Sequence, residues 1–532
     1  MIRTSIPRCR SRRGARASIA EGMRARTPSR YEPSRFHAGW LRHRVDAVAE
    51  IVFLELLAFF VERLVLGSLA GDKIWPYIAR VLAPRLAVLE RGFDREFYLR
   101  QFDEERRRRR VARAPLFHYA LLGWRTGRAP APAFDPAFYR RYYLERPPGM
   151  DPLLHHLEKP DPTKTPRNEV EARADRASWR GSAGTVLVFH HGRGGGSSHF
   201  LDLYERDIEN KGHNVLRART VLRAPTLAVV GERTFDLSSD VGALADFARQ
   251  RDVTRLLVNH LVDRPTDAMG WLRDLGARLQ VPYDVVLHDY FVLCPRIDLV
   301  TGRGVCCDVA PPETCVQCVA DHGAEVGDAD PLTWRGQHLE FLAGAARIVA
   351  PSEDLARRMR SHLTREIEVW EPESDGGLPP EVRPLIRGTE PLRVITLGAL
   401  NVSKGLRIMQ DLARIAALND APLQLSVLGP ASEPLPASIE VVGAYHPDEL
   451  DRLLVEAAPH MVLLPAIWPE SWSFVLTAAL KRALPVVVFD TGAPAARLRR
   501  LARGHVLPLG LSRDPAGLLA ALLRLRAGWV EP

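Results

Sequence analysis

The sequence predicts an α/β protein made of two open, parallel-sheet domains that face a cleft, behind an α-helical N-terminal region. Three observations carry this expectation. Short apolar runs without polar alternation recur at Thr185 to His191, Tyr283 to Asp289, Arg347 to Pro351, Leu392 to Leu397, Met461 to Leu464 and Pro485 to Phe489, as in strands covered on both faces. Helical stretches fall between several of them, which is the β-α-β alternation of a parallel sheet. Between the first three runs and the last three, residues 371–390 hold four prolines and three glycines, a linker composition.

Composition fits that frame. A chain of 532 residues leaves room for about three domains of ordinary size. The formal charge of +9 is misleading, because residues 1–44 alone hold twelve Arg against two Glu. The remaining chain is close to neutral, so the basic balance belongs to an N-terminal arm and gives no evidence of a nucleic-acid groove in the folded body. An arm of that composition is expected to be disordered. No secretory signal is visible, since no uninterrupted apolar stretch follows the arginines at the right distance.

Residues 45–90 form an apolar helical segment, interrupted at Glu50, Glu55, Glu62 and Arg63. No run in it approaches the ~18–20 uncharged residues that span a bilayer. Two readings stay open: a helix packed against protein, or one lying in a membrane interface. Residues 91–160 contain a degenerate repeat. Phe93-Asp94 and Phe97-Tyr98 recur as Phe134-Asp135 and Phe138-Tyr139, and Pro115-Leu116 with His118 recurs as Pro152-Leu153 with His155. Each copy reads as an Asp-capped helix, a turn and a second short helix, with the aromatics and histidines as core. The arginine run Arg106 to Arg110 reads as a solvated face.

The first α/β domain spans 184–370. Its opening strand runs into a glycine loop, Gly192 to Ser198, and a helix whose apolar face is Phe200, Leu201, Tyr204 and Ile208. Glycines there let a ligand approach the backbone closely. His190 and His191 close the strand or act in the site. The strand from Tyr283 ends in His288-Asp289. Five cysteines follow within 25 residues. Cys315 and Cys318 have the spacing of a metal half-site, and Cys294 with Cys306 (or Cys307) would complete a structural zinc set. Reduced, unliganded thiols are the alternative. The second α/β domain spans 391–532. Its first strand leads into the loop Gly398 to Gly405, which carries Lys404. The strand from Met461 leads into a loop carrying Glu470 and Ser471, and the strand from Pro485 ends in the turn Asp490-Thr491-Gly492. Ligands of such sheets sit outside the carboxyl ends of the strands, near helix N-termini that favour phosphate.

The stretch PAIWPESWSFVLTAALKRALPVVVFDTGAP, together with the glycine loop and HDYFVLCPR, resembles the family-four retaining glycosyltransferases. The aromatic repeats resemble a module found beside bacterial polysaccharide glycosyltransferases. The resemblance covers about residues 184 to 515 and implies the GT-B fold, two Rossmann-like domains facing a cleft. It implies His288 and Glu470 as catalytic groups. Donor binding would fall to Lys404, Gly194, Gly195, Gly196, Ser471 and Gly492. It further implies a nucleotide-sugar substrate, a glycan or glycolipid acceptor, retention without a catalytic metal, and a cytoplasmic protein in peripheral contact with the inner face of the membrane. Departures are Ala478 and Ala496 where glutamates are usual, Ala399 where an arginine is common, and Ala483 where a glycine ends the helix. These leave a second class open: a degenerate GT-B protein serving as partner or scaffold of a related transferase.

Overall fold

The computed structural model describes residues 82–531 except 103–104, 144–150, 160–166, 168–182, 192–194, 222–223, 232, 302–303, 325–329 and 446–448. The basic arm and most of the 45–90 segment lie outside the described residues. Residues 82–90 are helical, and Leu89 is fully buried. Among the described residues no helix is long and apolar enough to cross a membrane.

The repeat region is built twice on the same bonds. Asp94 accepts from the Phe97 amide and opens the helix Arg95–Arg100. Asp135 accepts from the Ala137 amide at the head of the helix Pro136–Tyr143. Tyr98 Oη pairs with His118 Nδ1 at 2.7 Å, and Tyr139 Oη pairs with His155 Nδ1 at 3.1 Å in the second copy. Phe97, Tyr98, Phe134 and Tyr139 are all buried, so the aromatics are core as expected. Arg107 to Arg110 are exposed. The region packs on the first sheet through Phe97 and Ala129, which meet Val221, Ala224, Leu227 and Val229, and through the ion pair Arg219 to Asp135 at 3.3 Å.

The first sheet has eight strands: β1 (Thr185–His190), β2 (Asn214–Val221), β3 (Ala224–Val230), β4 (Arg233–Asp236), β5 (Val253–Val258), β6 (Tyr283–Val286), β7 (Arg347–Ala350) and β8 (Glu368–Val369), in the order β4-β3-β2-β1-β5-β6-β7-β8. Strands β2 to β8 along that order are parallel, whereas β3 and β4 fold back antiparallel at the edge. The second sheet is wholly parallel: β9 (Leu392–Leu397), β10 (Leu423–Leu428), β11 (Ile439–Val441), β12 (Met461–Leu464), β13 (Val486–Phe489) and β14 (His505–Leu507), ordered β11-β10-β9-β12-β13-β14. Every residue of β1, β6, β12 and β13 is buried, and apart from Thr185, His190 and Asp284 these strands are apolar or aromatic. Two doubly wound sheets of this kind are the GT-B arrangement that the sequence predicts.

Local signals set the helix ends. Ser352 Oγ accepts from the Leu355 amide and Ser473 Oγ from the Leu476 amide. Asp514 accepts from the Gly517 amide, with Pro515 at the first helical position. The helix Gly196–Asn210 is tied to β2 by a buried charge cluster. Arg217 Nε and Nη2 donate to the two Glu205 oxygens at 2.7 and 2.9 Å, and Nη2 also reaches Asp202 at 2.7 Å.

Glu205 has no solvent exposure, so Arg217→Met strands its carboxylate. Urea unfolding of that variant should show a loss of about 3–5 kcal/mol. Adding Glu205→Gln should recover part of it, and a single variant as stable as the parent would contradict the assignment.

Candidate functional site

In each sheet the first strand sends the chain to one side and then to the other, which places a crevice between β1 and β5 and another between β9 and β12. The residues that emerge at the carboxyl ends bordering these crevices are the polar ones. On the first sheet they are His190 and His191 after β1, Asn259 and His260 after β5, and His288 and Asp289 after β6.

All of these but His190 are joined in a network that runs through Ser197. His288 Nε2 lies 2.8 Å from Asn259 Oδ1. The amide oxygen can only accept, so Nε2–H is the donor and Nδ1 is left as the acceptor of the ring. The single ring proton expected to meet a sugar hydroxyl is therefore committed to Asn259. Asn259 Nδ2 in turn donates to the Ser197 carbonyl at 3.4 Å, and Ser197 Oγ stands 2.7 Å from His191 Nε2. His260 stacks on His288 with ring centres 6.0 Å apart. The Val262 amide donates to His260 Nδ1 at 2.9 Å, which fixes Nε2–H as the donor to Asp289 Oδ2 at 3.0 Å. A cavity of about 30 Å³ lies behind His260 and His288, lined also by Phe291 and His338. It holds about one water and is too small for a nucleotide sugar.

On the second sheet, Lys404 and Glu470 stand on the loops after β9 and β12, one on each side of the crevice. Lys404 Nζ lies 3.1 Å from Glu470 Oε1, with Glu470 nearly buried and Lys404 partly exposed. The two loops are also joined by the Ile467 amide donating to Ser403 O at 2.9 Å. Gly405, at φ 87°, fits there because a Cβ would lie 2.3 Å from Pro465 O. Gly492 serves the same loop: at φ 67° its Cβ would lie 2.5 Å from the Glu470 nitrogen, and the Ala493 amide donates to Glu470 O at 2.8 Å. It supports Glu470 from behind. Ser471 is buried, and its hydroxyl donates to the His288 carbonyl, so it joins the two domains.

Other contacts cross the cleft nearby. His199 meets Phe474 edge-on at 4.4 Å, and Tyr290 meets Trp468 at 6.4 Å. Gly195 begins the helix Gly196–Asn210 at φ 85°, with nothing within 4 Å of its Cβ position, and Gly196 faces Phe474. The N-terminus of this helix thus lies beside Phe474 of the second domain, and helix N-termini are places where phosphate binds. Gly194 lies outside the described residues. Ala478 is half-buried, packed at the edge of an apolar cluster, and Ala496 is exposed.

The zinc set expected from Cys294, Cys306, Cys315 and Cys318 is not brought together. All are free thiols, and among the described residues no three His, Cys, Asp or Glu side chains are grouped to hold a metal ion. Burial pushes Cys294 up to about 12 and Cys306 up to about 11. Arg335 Nη2 donates to Cys315 Sγ at 3.3 Å instead.

The sequence reading singled out His288, Lys404 and Glu470 and missed Asn259, His260 and Ser197. A signal was present: Asn259-His260 follows the apolar run of β5 as His288-Asp289 follows that of β6.

No family model matches the chain, and no curated protein matches it. Several solved structures share its general outline. HepE from Anabaena, solved with UDP, is 14% identical with a TM-score of 0.41, over 64% of this chain and 90% of that one. Sucrose-phosphate synthase from Thermosynechococcus elongatus is 13% identical with a TM-score of 0.43, over 65% and 91%. The lipopolysaccharide outer core galactosyltransferase WaaB is 10% identical with a TM-score of 0.38, over 65% and 91%. The architecture of this chain rests on its own strand orders, and those likenesses are too distant to add to them.

The histidine burial has a consequence for stability. Burial pushes His288 down to about 3, and His118 and His338 down to about 4. These rings stay neutral in the folded protein while the unfolded chain takes up protons below about pH 6.5. The unfolded state then binds more protons, so stability falls as pH falls. The urea midpoint should be highest above pH 6.5 and drop between pH 6.5 and about 4. A midpoint unchanged between about pH 7 and 5 would contradict neutral burial of these rings.

Proposed function

We propose that the protein is a glycosyltransferase that moves a sugar from a nucleotide-sugar donor to a polysaccharide, lipopolysaccharide or lipid-linked acceptor. The observation that carries this reading is the Lys404 to Glu470 pair at the crevice of the second sheet, bonded through Ser471 to the His288 strand end of the first. A diphosphate entering that crevice competes with Glu470 for the ammonium. Once Lys404 turns to the phosphates, the Glu470 carboxylate becomes free to accept from sugar hydroxyls.

The chemistry asked of the site is electrostatic. The leaving diphosphate gathers negative charge, and Lys404 with the amides at the N-termini of the helices Gly196–Asn210 and Phe474–Lys481 is placed to offset it. The buried, neutral His288 ring would present an acceptor to the transferred sugar or the incoming hydroxyl. Retention of configuration and work at the inner face of the membrane belong to this reading as its finer parts. They rest on the motif resemblance.

Calorimetric titration of the full chain with UDP, GDP, ADP and their common sugars tests the proposal. Saturable binding of one nucleotide is expected, weakened about tenfold to a hundredfold by Lys404→Ala, as befits a charge-assisted bond of roughly 1.5–3 kcal/mol. A folded protein that binds none of the panel would overturn the reading.

Ala478→Glu separates two forms of the donor site. Tighter binding by about tenfold or more would show a vacated ribose position. Unchanged affinity would show that other groups hold the ribose.

A further inference from the structure

The chain has several buried arginines, and two of them are fully paired. Arg217 is held by Glu205 and Asp202, and Arg497 by Asp375, Thr477 and the face of Trp472. Arg264 differs. It is 3% exposed, and its guanidinium makes one hydrogen bond, from Nη1 to the Pro225 carbonyl at 3.1 Å. Among the described residues, Nε and Nη2 are buried and have no partner. Asp263 acts on it through space but forms no ion pair with it, and burial pushes its pKa down to about 10.

The two unpaired nitrogens are not an arbitrary pair. Nε–H and Nη2–H lie on one edge of the guanidinium and point the same way, forming the fork that grips a carboxylate or phosphate with two parallel hydrogen bonds. A buried cation left with that edge empty is costly. An oxyanion seated on it would remove the cost.

The position of the group suits a substrate. Arg264 lies in the loop that leads from Asn259 and His260 to the helix Ala268–Leu279, and its amide closes a turn onto Leu261 O at 3.0 Å. Pro225 is the second residue of β3, which runs antiparallel to β2, so its carbonyl lies near the carboxyl edge of the parallel strands. The guanidinium therefore reaches over the edge that carries His191, Asn259 and His288, on the flank away from the donor domain. By strand order β3 is four ladder steps from β6, about 19 Å at the usual spacing. The helical repeats wall off this flank through Phe97, Ala129 and the Arg219 to Asp135 pair.

We propose that the Nε/Nη2 edge of Arg264 is an oxyanion subsite, which takes a phosphate or carboxylate carried by the acceptor a few sugar units from the reacting hydroxyl. The acceptor part of this rests on the transferase reading, while binding of the anion does not. Both nitrogens lie beneath the surface, so the anion enters as the loop at 261–266 parts from Pro225.

The test uses the full chain carrying Lys404→Ala, so that the donor site does not contribute. Thermal unfolding is followed against methyl phosphate, against glucuronate, and against chloride at equal ionic strength. One of the two oxyanions should raise the midpoint saturably above chloride, and a further Arg264→Gln should abolish the rise. Preference for methyl phosphate would indicate a phosphorylated acceptor, and preference for glucuronate an acidic sugar. Arg264→Lys keeps the charge without the fork and should weaken binding at least about tenfold. In chloride, Arg264→Gln should be no less stable than its parent. No rise above chloride with either anion, or an equal rise with and without Arg264→Gln, would overturn the subsite. A silent nucleotide panel beside a positive anion result would sink the transferase reading alone.

Discussion

Lys404 Nζ and Glu470 Oε1, 3.1 Å apart, close the carboxyl edge of the second sheet. The backbone of neither residue is free to sit elsewhere. Lys404 stands on a loop pinned at Gly405 by the close approach of Pro465, and Glu470 on a loop pressed from behind by Gly492. Removing a side chain at those two glycines brings three backbone segments within contact of one another. The pair is the charged tip of a tightly packed piece of main chain, and Ser471 carries that piece across to His288 in the other domain.

The connection between the domains is anchored unequally. Trp370 packs on Phe200 and Tyr204 of the first domain, with ring centres 5.1 and 4.8 Å apart. From Glu371 onward the chain is strapped to the second. Arg500 grips Glu371 and Asp375, Arg497 grips Asp375, and Lys481 reaches Glu373 at 3.3 Å. Exposed pairs of this sort contribute little each, but Arg497 is buried and also stacks on Trp472 beside Glu470. The chain thus passes from the first domain's packing to the second domain's ion pairs between Trp370 and Glu371.

The first-sheet half of the site works by removing choices from imidazoles. His260 is fixed as an Nε2–H donor by the Val262 amide, and His288 spends its proton on Asn259. Burial then keeps His288 neutral. A ring so constrained is a fixed dipole and a poor base. It suits a reaction whose main demand is charge stabilisation at a leaving group.

By itself the sequence determined the parts that depend on neighbours a few residues away. The strand at 461–464 is legible because burial on both faces of a parallel sheet leaves no polar position in the run, and that at 392–397 because only Arg393 and Thr396 interrupt it. The caps at Ser352, Ser473 and Asp514 are legible because the bond they make closes within three residues. Lys404 and Glu470 could be picked out one by one as polar residues on loops after such strands. What tertiary structure alone decided is which of these groups meet. The β2–β3–β4 edge escaped the periodicity argument because β2 and β4 carry polar residues and are only partly buried. The cysteines lie close in sequence, yet among the described residues no three ligating side chains are grouped to hold a metal ion. Arg497 finds Asp375 across 122 residues, whereas Arg264 finds a single carbonyl. No local pattern distinguishes a paired buried arginine from an unpaired one, because the partner is chosen by the packing of sheets and loops distant in the chain.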